Sequence, residues 1–128
     1  MIIRPALAAD WPILRALLEE NALTVDGVAY EGFTPPCLVA VKDGEIVGFI
    51  QAHAGAPYAI ITELVIARQH QRKGYGIRLL QHMETLLRSA GVTAWMTYTG
   101  EKNDRVMAQL DGYGARCTGA GTAWVKSL

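Results

Sequence analysis

One stretch of this chain constrains its fold more than any other. The apolar run AIITELVIA is followed by the loop QRKGYG (residues 71–76), a helical segment IRLLQHMETLLRSAG and a second apolar run, VTAWMTYT. Strand, helix and strand in that order make a βαβ unit, so the two strands are expected to lie parallel with a right-handed crossover. Leu79, Leu80, Met83, Leu86, Leu87 and Ala90 form an apolar stripe on the helix, and Gly91 supplies its stop. The first run carries one charge, Glu63, and reads as a strand buried on both faces.

The remaining signals surround this unit with further strands and helices. MIIR reads as an edge strand halted by Pro5. Asp10 follows as an N-cap, with Pro12 in the first turn and Ile13, Leu14, Leu17 and Leu18 at helical spacing up to about Asn21. Residues 22–36 contain Gly27, Gly32, Pro35 and Pro36 and read as a long, partly irregular loop of the kind that often carries function. In CLVAVKDGEIVGFIQAH two β-rich runs flank Asp43-Gly44, a hairpin turn. Beyond the βαβ unit come a short helix over residues 103–110 and two short strands around Gly119 and Gly121. The expected fold is mixed α/β in a single domain over 1–128, whose length is close to the commonest domain size.

Composition excludes several functions. Twelve Lys and Arg balance twelve Asp and Glu, so no basic footprint for nucleic acid is present. No apolar run approaches the roughly 18 residues of a membrane span. Arg4, Pro5 and Asp10 interrupt the opening too early for a signal-peptide core, so a cytoplasmic protein is expected. Cys37 and Cys117 have neither paired nor metal-type spacing and read as small packing residues. No His, Asp and Glu cluster has metal-ligand spacing, so no metal is expected. The C-terminal TAWVKSL is a strand that could pair across a homodimer if it forms an edge.

The glycine loop has its own chemistry. A helix N-terminus exposes unpaired N–H groups and carries about half a positive charge. Gly74 and Gly76 let an anion approach that backbone and permit positive φ, and Arg72 and Lys73 add cations. Together they suit a phosphate or pyrophosphate; a glycine turn with solvated cations is the bland alternative. A P-loop is excluded, because no Gly-x-x-x-x-Gly-Lys-Ser/Thr occurs, and Leu79 replaces the third glycine of a dinucleotide fingerprint.

Gln71-Arg72-Lys73-Gly74-Tyr75-Gly76 resembles the Gln/Arg-x-x-Gly-x-Gly/Ala signature of the GNAT superfamily, the acetyl-CoA-dependent N-acetyltransferases. The likeness extends to Glu63-Leu64-Val65-Ile66 upstream, Leu79-Leu80 downstream, Arg4-Pro5 and the Asp43-Gly44 hairpin with Ile46-Val47-Gly48. It implies a central, mostly antiparallel sheet with one parallel, splayed strand pair, flanked by helices. It also implies acetyl-CoA as co-substrate. The strand at Leu64, Val65 and Ile66 would splay from the one at Trp95 to Thr97 and pair with the pantetheine arm through Val65 and Ile66. The amides of Arg72, Lys73, Gly74, Tyr75, Gly76 and Ile77 would bind the pyrophosphate, and Gln71 would mark where the adenosine end begins. Asn103 matches an asparagine that touches the pantetheine.

Acetyl transfer to an amine needs a base, because a lysine-like amine with pKa near 10.4 is almost wholly protonated at pH 7. Glu63 is the leading candidate, partial burial raising its pKa; pairing with an arginine or facing solvent is the structural alternative. His53 is a second candidate, while His70 and His82 read as loop and exposed helix residues. An N–H near Val65 would serve the developing oxyanion. Seven residues after Asn103, where the family usually carries a tyrosine, stands Leu110; Tyr113 and Tyr98 are the stand-ins. Asp26, Tyr30, Glu31 and Phe33 could form a cation-accepting wall for an amine or merely keep a loop soluble. The leading expectation is an N-acetyltransferase acting on a primary amine of a small molecule or peptide. A catalytically degenerate CoA-binding sensor or regulatory module and a nucleotide-binding domain of another kind are the alternatives.

Overall fold

The computed structural model describes residues 1–21, 35–98, 104–118 and 123–128, and of residues 104–107 the backbone alone. Strand β1 (Ile2–Pro5) and a 3₁₀ turn (Ala8–Asp10) lead into helix α1 (Trp11–Glu20). Strands β2 (Cys37–Lys42), β3 (Glu45–Gly55) and β4 (Tyr58–Ile66) follow, then a 3₁₀ turn (Arg68–His70) and helix α2 (Tyr75–Ser89). Strand β5 (Ala94–Tyr98), helix α3 (Asp104–Gly112), β6 (Arg116–Thr118) and β7 (Ala123–Ser127) complete the order expected from the sequence.

The sheet runs β1-β2-β3-β4-β5-β7-β6. Its one parallel pair is β4 with β5, joined through α2, and the other pairings are antiparallel. Asp43 and Gly44 take φ of 52° and 78° in the β2–β3 hairpin, the left-handed pair that a two-residue turn requires. The C-terminal strand β7 lies between β5 and β6 and is not an edge. The dimer route through it is therefore closed, its N–H and C=O groups being committed to two neighbours. The sheet edges are β1 and β6.

Two cores sandwich the sheet. On one face α2 lays Leu79, Leu80, Met83 and Leu87 against Ile50, Ile61 and Trp95. On the other, α1 lays Leu14, Leu17 and Leu18 against Val39, Phe49 and Val65. Burying such a side chain is worth about 1.5–3 kcal/mol. A bulge at Thr62 sets which residues of β4 meet which core. Gln51 pairs with Glu63 and Ala52 with Ile61, leaving Thr62 unpaired. Side chains alternate along a strand, so an inserted residue exchanges the faces. Ala59 and Ile61 accordingly enter the α2 core, and Val65 the α1 core.

Several sequence expectations change here. β4 is not buried on both faces, since Ile60 and Leu64 remain 38% and 39% exposed; a continuous apolar run cannot tell a core strand from one that lines a groove. On α2, Leu86 and Ala90 face outward while Glu84, absent from the expected stripe, is 2% exposed. Asp10 stands at the N-cap of α1 but makes no side-chain cap bond to it. Its carboxylate instead accepts from the Leu7 N–H at 2.7 Å and from Arg4 at 2.8 and 3.1 Å. Arg4, and then the Leu7 amide, outweigh burial and hold Asp10 below the usual carboxylate range. Cys37 is buried, and desolvation pushes its thiol up to about 11; Cys117 is exposed on β6 and packs nothing.

Candidate functional site

The loop between β4 and α2 is built as an N-terminal cradle. Gly74 sits at the N-cap of α2 with φ 81° and ψ 6°, a left-handed conformation natural to glycine. A Cβ placed on Gly74 would meet nothing within 4 Å, so the space in front of the helix is open. The Arg78 N–H closes on the Gly74 carbonyl at 3.2 Å, so Tyr75, Gly76 and Ile77 supply the first-turn amides that a helix leaves without acceptors. Arg72, itself at φ 64°, and Lys73 stand exposed beside them. One cation escaped the sequence reading. Lys42, at the end of β2, has its ammonium 5.8 Å from the centroid of the Tyr75 ring, and the Tyr75 hydroxyl holds it above the usual lysine range. Its only signal was the hairpin that brings it back beside the loop.

Gln71 has a structural part. Its amide nitrogen donates to Asn21 Oδ1 at 2.9 Å and to the Ile66 carbonyl at 3.0 Å. The side chain is thus turned inward, bracing the end of β4 against the residue that follows α1. Asn103 lies outside the described residues, as do Asp26, Tyr30, Glu31 and Phe33.

Behind the loop, β4 runs on past its described pairing with β5. Among the described residues that pairing extends from Tyr58 with Ala94 to Ile61 with Thr97. Trp95 to Thr97 are therefore paired with Ala59 to Ile61 and not with Leu64 to Ile66, and residues 99–103, which follow β5, lie outside the described residues. The backbone of β4 alternates in direction along this stretch. The Ala67 N–H donates to the Val47 carbonyl at 2.8 Å, and the Val65 carbonyl lies 2.8 Å from where a Cβ on Gly48 would sit. Val65 therefore directs its backbone groups to β3, and Leu64 and Ile66 direct theirs away from it, toward the β5 side. On that side the N–H groups are those of Leu64 and Ile66.

Glu63 stands on the α1 face of β4, two residues from buried Val65. Desolvation raises its carboxyl above the ordinary value of 4.5. No cation is paired with it among the described residues. His53 is exposed on the same face, beyond Gln51 on β3. A carboxyl raised by desolvation, on a strand that leads into a helix N-terminus, is suited to taking a proton from a reacting group.

The acetyltransferase (GNAT) family model matches residues 4–110, most of the chain. The chain belongs to the acetyltransferase (GNAT) family. It is an acyltransferase by that membership. Solved structures share the fold at low identity. The PaiA N-acetyltransferase from Thermoplasma acidophilum, in complex with coenzyme A, is 17% identical with a TM-score of 0.82 over 99% of this chain and 98% of that one. The ribosomal-protein-S18-alanine N-acetyltransferase from Escherichia coli is 16% identical, with a TM-score of 0.77 over 99% and 92%. N-acetylglutamate synthase from Neisseria gonorrhoeae, complexed with coenzyme A and N-acetyl-glutamate, is 21% identical with a TM-score of 0.83; this chain covers 35% of it. A search of curated protein sequences gave no match.

Within this acetyltransferase buried Glu84 is a fastener. Glu84 accepts from the Trp95 indole at 2.8 Å, the Lys126 ammonium at 2.7 Å and the Tyr113 hydroxyl at 2.5 Å. It ties α2 to β5, β7 and the residue following α3. Burial pushes Glu84 up, but Lys126, Tyr113 and Trp95 together draw it below the ordinary range. Burial and Glu84 hold the Tyr113 proton far more tightly than usual, so Tyr113 is engaged structurally and unsuited to donate a proton. Leu110 packs against the α2 core. Tyr98, 61% exposed at the end of β5, is the remaining hydroxyl of the three positions considered. A cavity of about 520 Å³ lined by Pro5, Trp11, Pro36 and Leu86 carries no charged side chain and shares none of these residues. Among the described residues no three His, Cys, Asp or Glu side chains could hold a metal ion, and no helix is long and apolar enough to cross a membrane.

Proposed function

We propose that this chain transfers an acetyl group from acetyl-CoA to a primary amine of a small molecule or peptide. One observation carries the reading: beyond its described pairing with β5, β4 turns the backbone of Leu64 and Ile66 away from β3, and it leads into a helix N-terminus with open space at Gly74. That cradle fits a pyrophosphate, since a Cβ would occupy space now free and Arg72, Lys73 and Lys42 supply charge. Bound acetyl-CoA would supply an activated acyl thioester. The amides of Leu64 and Ile66 are donors for its pantetheine and carbonyl oxygen. Glu63 takes a proton from the amine, and its raised carboxyl is the better matched to that task near neutral pH. Tyr98 is the hydroxyl available to the leaving thiolate.

The coenzyme A bound in the thermoacidophile and gonococcal structures supports the donor, and the amino-acid and protein acceptors named for the relatives support an amine. Leu110 in place of a hydroxyl favours a second reading, a CoA-binding module without turnover. Acetyl-CoA-dependent thiol release with an amine panel separates the two. Coenzyme A at about 100 times Kd should stabilise the fold by roughly 2.7 kcal/mol, with ATP giving no such shift. Gly74→Glu should remove that protection by filling the cradle with a carboxylate; unchanged affinity in the variant would refute the loop assignment.

A further inference from the structure

Beside Glu63 stands a polar group with no partner among the described residues. Gln51 on β3 is directly opposite Glu63 on β4, and cross-strand neighbours place their Cβ atoms about 5 Å apart. Phe49 and Val65, each two residues away on its own strand, both enter the α1 core, so Gln51 and Glu63 share that face. Gln51 is 7% exposed, and its Oε1 is buried with no hydrogen-bond donor among the described residues. An orphaned acceptor of this kind costs about 1–3 kcal/mol, and ionised Glu63, an acceptor only, cannot relieve it. Two acceptors side by side, one anionic and one neutral, with apolar Ile60 and Met96 paired further along the same face, are complementary to a group bearing several N–H bonds.

We propose that Gln51 is a substrate-positioning residue that selects primary amines, its Oε1 accepting the N–H that survives in the product amide. The inference rests on the acetyl-transfer reading above. The acceptor ammonium gives one proton to Glu63, and its nitrogen lone pair forms the C–N bond as the C–S bond breaks. The thiolate leaves with the electron pair and receives the second proton from nitrogen, and Glu63 returns its own to solvent. One hydrogen remains on nitrogen throughout, and Gln51 holds it. An N-methyl amine has no such hydrogen to leave in its product, and neither has an alcohol. Either would keep Oε1 orphaned, the kind of mismatch by which hydrogen-bonding sites reject analogues.

The test measures acetyl-CoA-dependent thiol release with a panel of short peptide amides, alkyl diamines and amino acids, then compares the fastest primary amine with its N-methyl derivative. Wild type should prefer the primary amine by about 100-fold or more in kcat/KM. Gln51→Met, with Gln51→Leu as a second apolar variant should the first not fold, should shrink that ratio at least about tenfold while thermal protection by coenzyme A is kept. Gln51→Glu, which retains an acceptor oxygen, should restore part of it. An unchanged ratio in both apolar variants, no preference in wild type, or loss of CoA protection in every variant would overturn the role of Gln51 alone. Absence of thiol release by wild type with every amine would overturn the acetyl-transfer reading itself.

Discussion

Each face of the sheet carries a glutamate, Glu84 buried and Glu63 half-buried, and the two carboxylates are treated in opposite ways. On the α2 face Glu84 receives three donors and is drawn below its ordinary range. On the α1 face Glu63 receives none among the described residues, lies beside Gln51, whose Oε1 has no partner among them, and is raised. A fully satisfied buried carboxylate holds elements together. One that is desolvated and left unpaired is a cost in stability that chemistry can use. The contrast assigns Glu84 to the frame and Glu63 to the reaction.

The largest effect expected from breaking this contrast is catalytic. Glu63→Gln should lower kcat by about 10²–10⁴-fold with little change in KM. Wild-type rate should climb as pH rises through the raised carboxyl value, and the variant should lose that limb; a pH–rate profile that is the same in both would remove Glu63 from the mechanism. Next comes Lys126→Met, which leaves Glu84 buried without its counter-charge and should destabilise the fold by about 3–5 kcal/mol in urea titrations. A loss under about 1 kcal/mol would show that the α2 face does not depend on the pair. Tyr113→Phe should cost about 1–2 kcal/mol of stability and leave kcat intact, whereas a large fall in kcat would return this tyrosine to the thiolate.

The smallest effect is in stability against pH. The raised Glu63 carboxyl makes its ionised form a liability above its folded-state value, so Glu63→Gln should raise Tm at neutral pH by roughly 2–4 °C. That gain should vanish below the ordinary value of 4.5, where both states are protonated. Glu84 has the reverse signature: its contribution is present above 4.5 and is lost as pH falls through its lowered folded value. Melting both Glu63→Gln and Lys126→Met across pH 3–8 would show whether the two slopes differ in sign.

Much of the fold was legible because its signals are local. The Asp43-Gly44 turn, the Gly74 N-cap and the period of α2 each follow from conformational preferences within a few residues, and the βαβ order dictates the parallel pair. The cradle was legible for the same reason, being made of backbone at one helix end. The bracing role of Gln71 was not legible because its partners, Asn21 and the Ile66 carbonyl, come from elements that only folding brings together. Glu84 was missed because a charge on a helix reads as solvent-facing until its donors, from β5, β7 and the residue after α3, are in view.

The sequence by itself determined the order of elements, the glycine-lined helix mouth and membership of an acyl-transfer family, since these depend on neighbouring residues and on a short, specific pattern. The tertiary structure alone decided that Leu64 and Ile66, rather than Val65, turn their backbone groups away from β3, and that Gln51 stands opposite Glu63. Both follow from the register of β3 against β4 and from one inserted residue, Thr62. A single-residue bulge exchanges the faces of everything beyond it, and no local propensity records where it falls.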